Sequence, residues 1–270
     1  WANFQVALAG WDRIAEILAM ESDLPLIEAH AEQTSGLLEF RDVSFGYPDG
    51  KEVLRDIHFT LEKGKTYALV GPTGGGKTTT ASLMARLFDP TRGMVLLNGK
   101  DIRSYTDEQR TQRIGFILQE PFLFNGTVQD NLVYGNTAYQ GLSKDQMLEV
   151  LKQHELDGLL VRFDQGLETP VLSTGDSISL GQRQLIAFMR AILRKPDLLI
   201  LDEATANIDT VTEQLLEDVL KKLPKETTRV IIAHRLNTIE SADEIFSVNG
   251  ASVTRAGSLE HAVEMLLQGK

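Results

Sequence analysis

The chain has no cysteine. Disulfides are therefore excluded, and a reducing compartment fits. It also lacks a long hydrophobic run. Aliphatic stretches such as Leu198-Leu199-Ile200-Leu201 have the length of a buried strand, far short of the roughly 18 residues of a membrane span. Positive charge is scarce: 27 Lys and Arg stand against 38 Asp and Glu, for a net charge of −11. With no densely basic stretch, the sequence lacks the electrostatic footprint of a protein that binds nucleic acid or an anionic membrane surface. Trp1 to Gly10 shows neither the basic start nor the cleavage pattern of a signal peptide. The initiator Met is missing too, so the expectation is a fragment or a processed product. What is present is 270 residues, 42% hydrophobic and 24% charged, enough to bury a full core in one or two lobes.

Phe4, Leu8, Trp11, Ile14 and Leu18 fall on one face of a helix. Two readings fit that stripe: a surface helix packed on the body, or the extension of a missing membrane helix. Glu21 to Gly36 is polar, carries Pro25 and reads as a linker. From Leu37 strand and helix signals alternate. Leu38, Phe40, Val43 and Phe45 predict an edge strand with a slip before Val43. Residues 57–61 alternate, 62–65 turn, and Thr66-Tyr67-Ala68-Leu69-Val70 is a short apolar strand. It feeds a Gly-rich loop and a predicted helix from Lys77 to Phe88. Further apolar runs at 114–118, 198–201, 230–233 and 244–248, with helices between, indicate a parallel sheet covered on both faces. Between Thr127 and Leu193 the pattern is mostly helical, which predicts a helical lobe inserted into the α/β core.

Gly71-Pro72-Thr73-Gly74-Gly75-Gly76-Lys77-Thr78 matches the phosphate-loop pattern G-x-x-x-x-G-K-[ST]. Glycines let backbone N–H groups converge on phosphate oxygens. The helix that follows points its positive end at the same place. Lys77 would supply a cation for the β- and γ-phosphates, and the Thr78 hydroxyl could ligate Mg²⁺. A Gly-rich turn before any helix could look similar, but this one follows a predicted strand and opens a predicted helix, as the motif requires.

Leu198-Leu199-Ile200-Leu201-Asp202-Glu203 is an apolar strand ending in two acids. Such a strand ends at the carboxyl edge of the sheet, where α/β proteins bind ligands. Asp202 would hold Mg²⁺ through water, leaving Glu203 to polarise an attacking water. Taken alone, two acids there would be a cap or a solvated turn; together with the phosphate loop they point to nucleoside triphosphate hydrolysis.

Ile178-Ser179-Leu180-Gly181-Gln182-Arg183-Gln184 resembles the signature motif of ATP-binding cassette (ABC) proteins, and it lies just upstream of the acidic strand as in that family. The resemblance extends from Leu37 to the C-terminus. It implies a P-loop NTPase α/β fold: a mostly parallel sheet, an N-terminal antiparallel β subdomain and an inserted α-helical subdomain at about 120–193. Residues 1–36 would then be a helix and linker outside the ATPase domain 37–270.

The resemblance also implies roles. Tyr47 would stack on adenine; a core tyrosine beside a turn is the plainer alternative. Gly71, Thr73, Gly74, Gly75, Gly76, Lys77, Thr78 and Thr79 would line the phosphates. Gln119 matches the Q-loop glutamine, a Mg²⁺ and water contact, and His234 the switch histidine at the γ-phosphate. Ser179, Gly181 and Gln182 would reach the ATP held by a second, head-to-tail nucleotide-binding domain, identical or different, which Asp209 would face. Gln119-Glu120-Pro121-Phe122-Leu123-Phe124 would pass motion to transmembrane domains, although a core role for Phe122 or Phe124 is equally natural. Thr127-Val128-Gln129-Asp130-Asn131-Leu132 resembles the exporter class, of the multidrug and lipid type. An exporter domain of this kind would work at the cytoplasmic face of the membrane.

Several positions depart from the family pattern. Ile178 and Leu180 replace leucine and glycine of the signature, and Leu180 matters if its side chain points at phosphate. Gly75 and Thr78 replace serines, Ala206 replaces a frequent serine, and Pro170 and Ser173 stand where acids are common. Two other readings compete. A soluble ABC ATPase of DNA repair or translation would bring basic surfaces or long coiled coils, and neither is visible. A regulatory switch with little turnover would show a degenerate base, yet Glu203 and His234 are both present.

Overall fold

The computed structural model describes residues 2–19, 24–30, 32–48, 50–172, 178–202, 210–232, 239, 241–257, 260–261 and 264. The amphipathic pattern at the start forms helix α1 (Ala2–Ala19). Its apolar stripe is not packed on the body: Phe4, Leu8, Trp11, Ile14 and Leu18 are all exposed.

An antiparallel sheet comes next. Strand β1 (Leu38–Gly46) pairs with β2 (Glu52–Leu61) on one side and β4 (Arg92–Leu97) on the other; β5 (Lys100–Asp101) closes the edge. The expected slip in β1 is there. The register breaks between Phe40 and Val43, where Asp42 has φ of 50°. One extra residue lets Phe40 and Val43 both face the core, each fully buried. The β4–β5 hairpin is an element that the periodicity reading missed. Its signal is Met94-Val95-Leu96-Leu97 followed by Asn98-Gly99, whose φ values of 50° and 73° are those of a two-residue hairpin turn with both residues left-handed.

The second sheet has the order β12-β11-β3-β10-β9-β6. Strands β3 (Thr66–Val70), β6 (Ile114–Ile117), β9 (Leu198–Asp202), β10 (Thr228–Ile232) and β11 (Glu244–Asn249) run parallel, and β12 (Ser252–Arg255) adds an antiparallel edge. Alternate residues of β9 feed two cores. Leu198 and Ile200 pack with Tyr67, Leu69 and the antiparallel sheet. Leu199 and Leu201 pack with the helical lobe. A strand buried on both faces reads as a continuous apolar run, which is why the sequence shows it so clearly.

Helix α2 (Lys77–Met84) follows the phosphate loop and stops short of the predicted end at Phe88. Arg86 adopts φ of 52°, and the Leu87 N–H donates back to Ser82 O at 2.8 Å, which closes the helix. The apolar spacing carries on through Leu87 and Phe88, so periodicity alone could not place the stop. Between β5 and β6 lies α3 (Asp107–Arg113), opened by a Thr106–Gln109 capping box. The helical lobe comprises α4 (Val128–Val133), α5 (Lys144–Gln153) and α6 (Leu180–Arg194) around Val128, Leu132, Met147, Leu151, Leu185 and Phe188, with two short strands, β7 (Gly126–Thr127) and β8 (Pro170–Val171), paired antiparallel. Helix α7 (Thr210–Lys221) lies between β9 and β10. The segment read as a linker is bound to the body. Ile27 N–H donates to Arg103 O at 3.2 Å and Glu32 N–H to Gly99 O at 2.7 Å, so it lies as a strap along the β4–β5 hairpin.

Candidate functional site

The parallel strands end together at one edge of the sheet. Register sets their ends level: Ile232 of β10 pairs with Leu69 of β3 and with Asp202 of β9, while Ile117 of β6 pairs with Leu201. Asp202 is thus two strands, about 10 Å, from the start of the phosphate loop. That gap can take a phosphate and a hydrated ion.

The loop itself demands glycine at two points. A Cβ on Gly71 would lie 2.1 Å from Val248 O, inside backbone of the neighbouring strand. Gly76 caps α2 with φ of 107°, a conformation costly for any other residue. Lys77 is buried, and its ammonium donates to Gly71 O at 2.9 Å and Pro72 O at 3.1 Å. The cation is held over the mouth of its own loop. Thr78 is exposed next to it, and Thr73 and Gly74 are exposed at the rim, with Gly75 half-buried. Thr79 turns inward and shares a hydrogen bond of 3.0 Å with the Tyr47 hydroxyl. The half-buried Tyr47 ring stands edge-on to Phe45 and Phe88. It is packed against the core along one side and tied to the loop by its hydroxyl.

Among the described residues no group of three or more His, Cys, Asp or Glu could hold a metal by itself. Asp202, 8% exposed, offers a carboxylate and Thr78 a hydroxyl. That sparse donor set suits Mg²⁺, which keeps several waters and takes phosphate oxygens, rather than a metal caged by protein.

Gln119 is exposed just beyond β6. Its carbonyl accepts from Nε2 of Gln184 at 3.1 Å, and Gln184 is fully buried in α6. The other end of this segment is held too. Asn131, fully buried, accepts from Phe124 N–H at 2.9 Å and donates to Phe124 O at 2.8 Å. Arg190 of α6 donates to Asn131 O at 2.7 Å and Asn131 Oδ1 at 3.1 Å. Burial, with the nearby Arg194 charge, pushes Arg190 down to about 10. Helix α6 therefore grips both ends of residues 119–124. The sequence reading gave Asn131, Gln184 and Arg190 no role of their own. Asn131 and Gln184 sit beside other polar residues, in Gln129-Asp130-Asn131 and Gln182-Arg183-Gln184. Arg190, between Met189 and Ala191, was the one readable signal of a polar residue inside an apolar run. Phe122 stays 64% exposed. With Leu118, Pro121, Tyr134 and Ala187 it lines a groove of about 240 Å³.

At the start of α6, Ser179 is exposed and accepts from Gln182 N–H at 3.2 Å, while Gln182 Oε1 accepts from Ser179 N–H at 2.8 Å. Gln182 also donates to Arg162 O at 2.6 Å. The helix begins at Leu180, one residue before the expected Gly181. Ile178 is buried and Leu180 half-buried. Glu203, Asp209 and His234, with Ser173 and Ala206, lie outside the described residues.

The family model for ABC transporters matches residues 54–206. The chain belongs to the ABC transporter family. It is an ATP-binding, ATP-hydrolysing domain of that family. It is 41% identical over 95% of its length to an uncharacterized ABC transporter ATP-binding protein, YfiC, of Bacillus subtilis, of which it covers 42%. It is 39% identical over 96% of its length to the ATP-dependent lipid A-core flippase of Escherichia coli K12, covering 45% of that protein. Among solved structures, a bacterial Atm1-family ABC exporter with ATP bound matches 98% of the chain with a TM-score of 0.79 and 29% identity, the chain covering 46% of it. The chain thus spans less than half the length of these relatives. Among the described residues no helix is long and apolar enough to cross a membrane.

Proposed function

We propose that this domain powers export across a membrane, as the ATPase part of an ABC exporter working at the cytoplasmic face. The observation that carries this reading is the single sheet edge that gathers the phosphate loop, Asp202 and the Gln119 segment, in a chain of exporter-like sequence. Lys77 and the amides of Gly74 to Thr78 grip the triphosphate, with Gly71 and Thr73 shaping the loop and Thr79 holding Tyr47 for adenine. Thr78, Gln119 and, through water, Asp202 would hold Mg²⁺, and its charge would neutralise the phosphates. Glu203 polarises the attacking water and His234 contacts the γ-phosphate. Ser179, Gly181 and Gln182, at the positive end of α6, reach the ATP of a head-to-tail partner domain, and Asp209 faces that partner. Because α6 grips the 119–124 segment, closure at the signature end moves Phe122 and its groove, where transmembrane domains dock. The exposed stripe of α1 continues toward the same membrane part.

The test is Glu203→Gln. ATP binding should persist, phosphate release should fall by about 10²–10⁴-fold, and size-exclusion chromatography with ATP should show a dimer. Turnover equal to that of the unmodified chain would remove Glu203 as the base. A monomer at every ATP concentration would remove the sandwich.

A further inference from the structure

Arg86 is the largest fully buried side chain of the protein's described residues, with 1% exposure. It sits two residues past the end of α2, in a left-handed conformation. Every nitrogen of its guanidinium is used. Nε donates to Asp89 Oδ1 at 2.9 Å, Nη1 to Arg103 O at 3.2 Å, and Nη2 to Pro25 O at 2.7 Å. A buried cation is tolerated only when paired and fully hydrogen-bonded, and Asp89 supplies the pairing charge. The remaining donors reach two backbone carbonyls, one of them in the strap. Arg103 O also accepts from Ile27 N–H. Three segments meet at this one side chain: the C-terminal end of α2, the turn after β5, and the strap leading back to α1.

The opposite end of α2 is the phosphate loop. With eight residues, the helix is only about 12 Å long. Its first residue, Lys77, and the amides at its start are the groups that would grip a phosphate, so bound nucleotide would load the N-terminal end of the helix. A helix this short would carry a shift of its first turn to its last, and Arg86 anchors the chain two residues beyond that last turn.

We propose that Arg86 is a positioning residue that couples the nucleotide loop to the N-terminal strap, so that the state of the loop is read out at residues 25–32. The coupling rests on ATP binding at the phosphate loop and not on the transporter reading, so it is testable on this chain alone. Coupling between two sites is reciprocal. Nucleotide must change strap opening, and loss of the strap must change nucleotide affinity, by one factor.

The experiment is amide hydrogen exchange at Ile27 and Glu32, with and without a non-hydrolysable ATP analogue and Mg²⁺, alongside the analogue's Kd. In the unmodified chain, nucleotide should change exchange at these two amides by about fivefold or more, the lower end of typical couplings. Arg86→Lys keeps the ion pair with Asp89 but cannot fork to two carbonyls. Its strap amides should exchange faster and no longer respond to nucleotide. Ile27→Pro leaves Arg86 intact and removes only the donor to Arg103; residue 27 is 40% exposed, so the core is spared. Because the other strap contacts remain, its Kd should shift by more than about twofold but by no more than the factor seen in exchange. Strap amides that ignore nucleotide in the unmodified chain, an undiminished response in Arg86→Lys, or a Kd unchanged within about twofold in Ile27→Pro would each overturn the coupling.

Discussion

At the residue scale, the chemistry of the site depends on side chains that touch no ligand. Asn131 shows why. Its amide donates to Phe124 O and to Thr127 O, and its oxygen accepts from Phe124 N–H and from Arg190. No apolar residue can replace those bonds. Leaving a buried donor unmatched costs about 1–3 kcal/mol, and more beside a charge. Asn131→Ala should therefore lower unfolding free energy by roughly 2–4 kcal/mol in urea titrations, and should loosen Phe122 and Phe124. A loss below about 0.5 kcal/mol would mean that water replaces the amide and that this grip on the segment is weak. Lys77 poses the opposite case. Its contacts with Gly71 O and Pro72 O are ones that a phosphate can outcompete, because a phosphate carries full charge where a carbonyl offers only a dipole.

At the element scale, the parallel sheet was legible because its strands are buried on both faces and read as apolar runs. The helical lobe was legible because Leu148 and Leu151 recur at helical spacing among polar residues; Leu156 joins the same core from beyond the end of α5. The β4–β5 hairpin was missed because a 3.6-versus-2 period count gives little weight to the turn between two strands. The strap was missed because most of its attachments use its own backbone, at Pro25 O, Ile27 N–H, Glu32 N–H and Gln33 O, and the side-chain tie of Glu32 to Arg41 pairs charges that look like an ordinary solvated surface in sequence. Both meet at Gly99. It has φ of 73°, and a Cβ there would lie 2.7 Å from Glu32 O. Gly99→Ala should thus strain the turn and push the strap off the hairpin together. The expected cost is about 1–2 kcal/mol, with faster exchange at the Glu32 amide. Unchanged exchange with lowered stability would show that the turn yields and the strap does not.

At the scale of the molecule, the decisive fact is that the two cores share strands. Leu198 and Ile200 belong to one core, Leu199 and Leu201 to the other, so neither core can be dismantled while β9 stays intact. Helix α6 adds side-chain ties from the lobe to the Gln119 segment at the sheet edge. The lobe and the sheet should therefore melt in one transition, although they look like separate bodies. On the proposed reading nucleotide binds at the edge of the sheet, so its stabilisation should extend to the lobe as well. Ligand at 100 times its Kd adds about 2.7 kcal/mol, which for a domain of this size raises Tm by roughly 5–10 °C. Calorimetry with and without ATP analogue and Mg²⁺ should show a single peak that moves as a whole. Two peaks, with only one moving, would mean that the lobe folds independently of β9, and the transfer of closure from α6 to Phe122 would lose its rigid base.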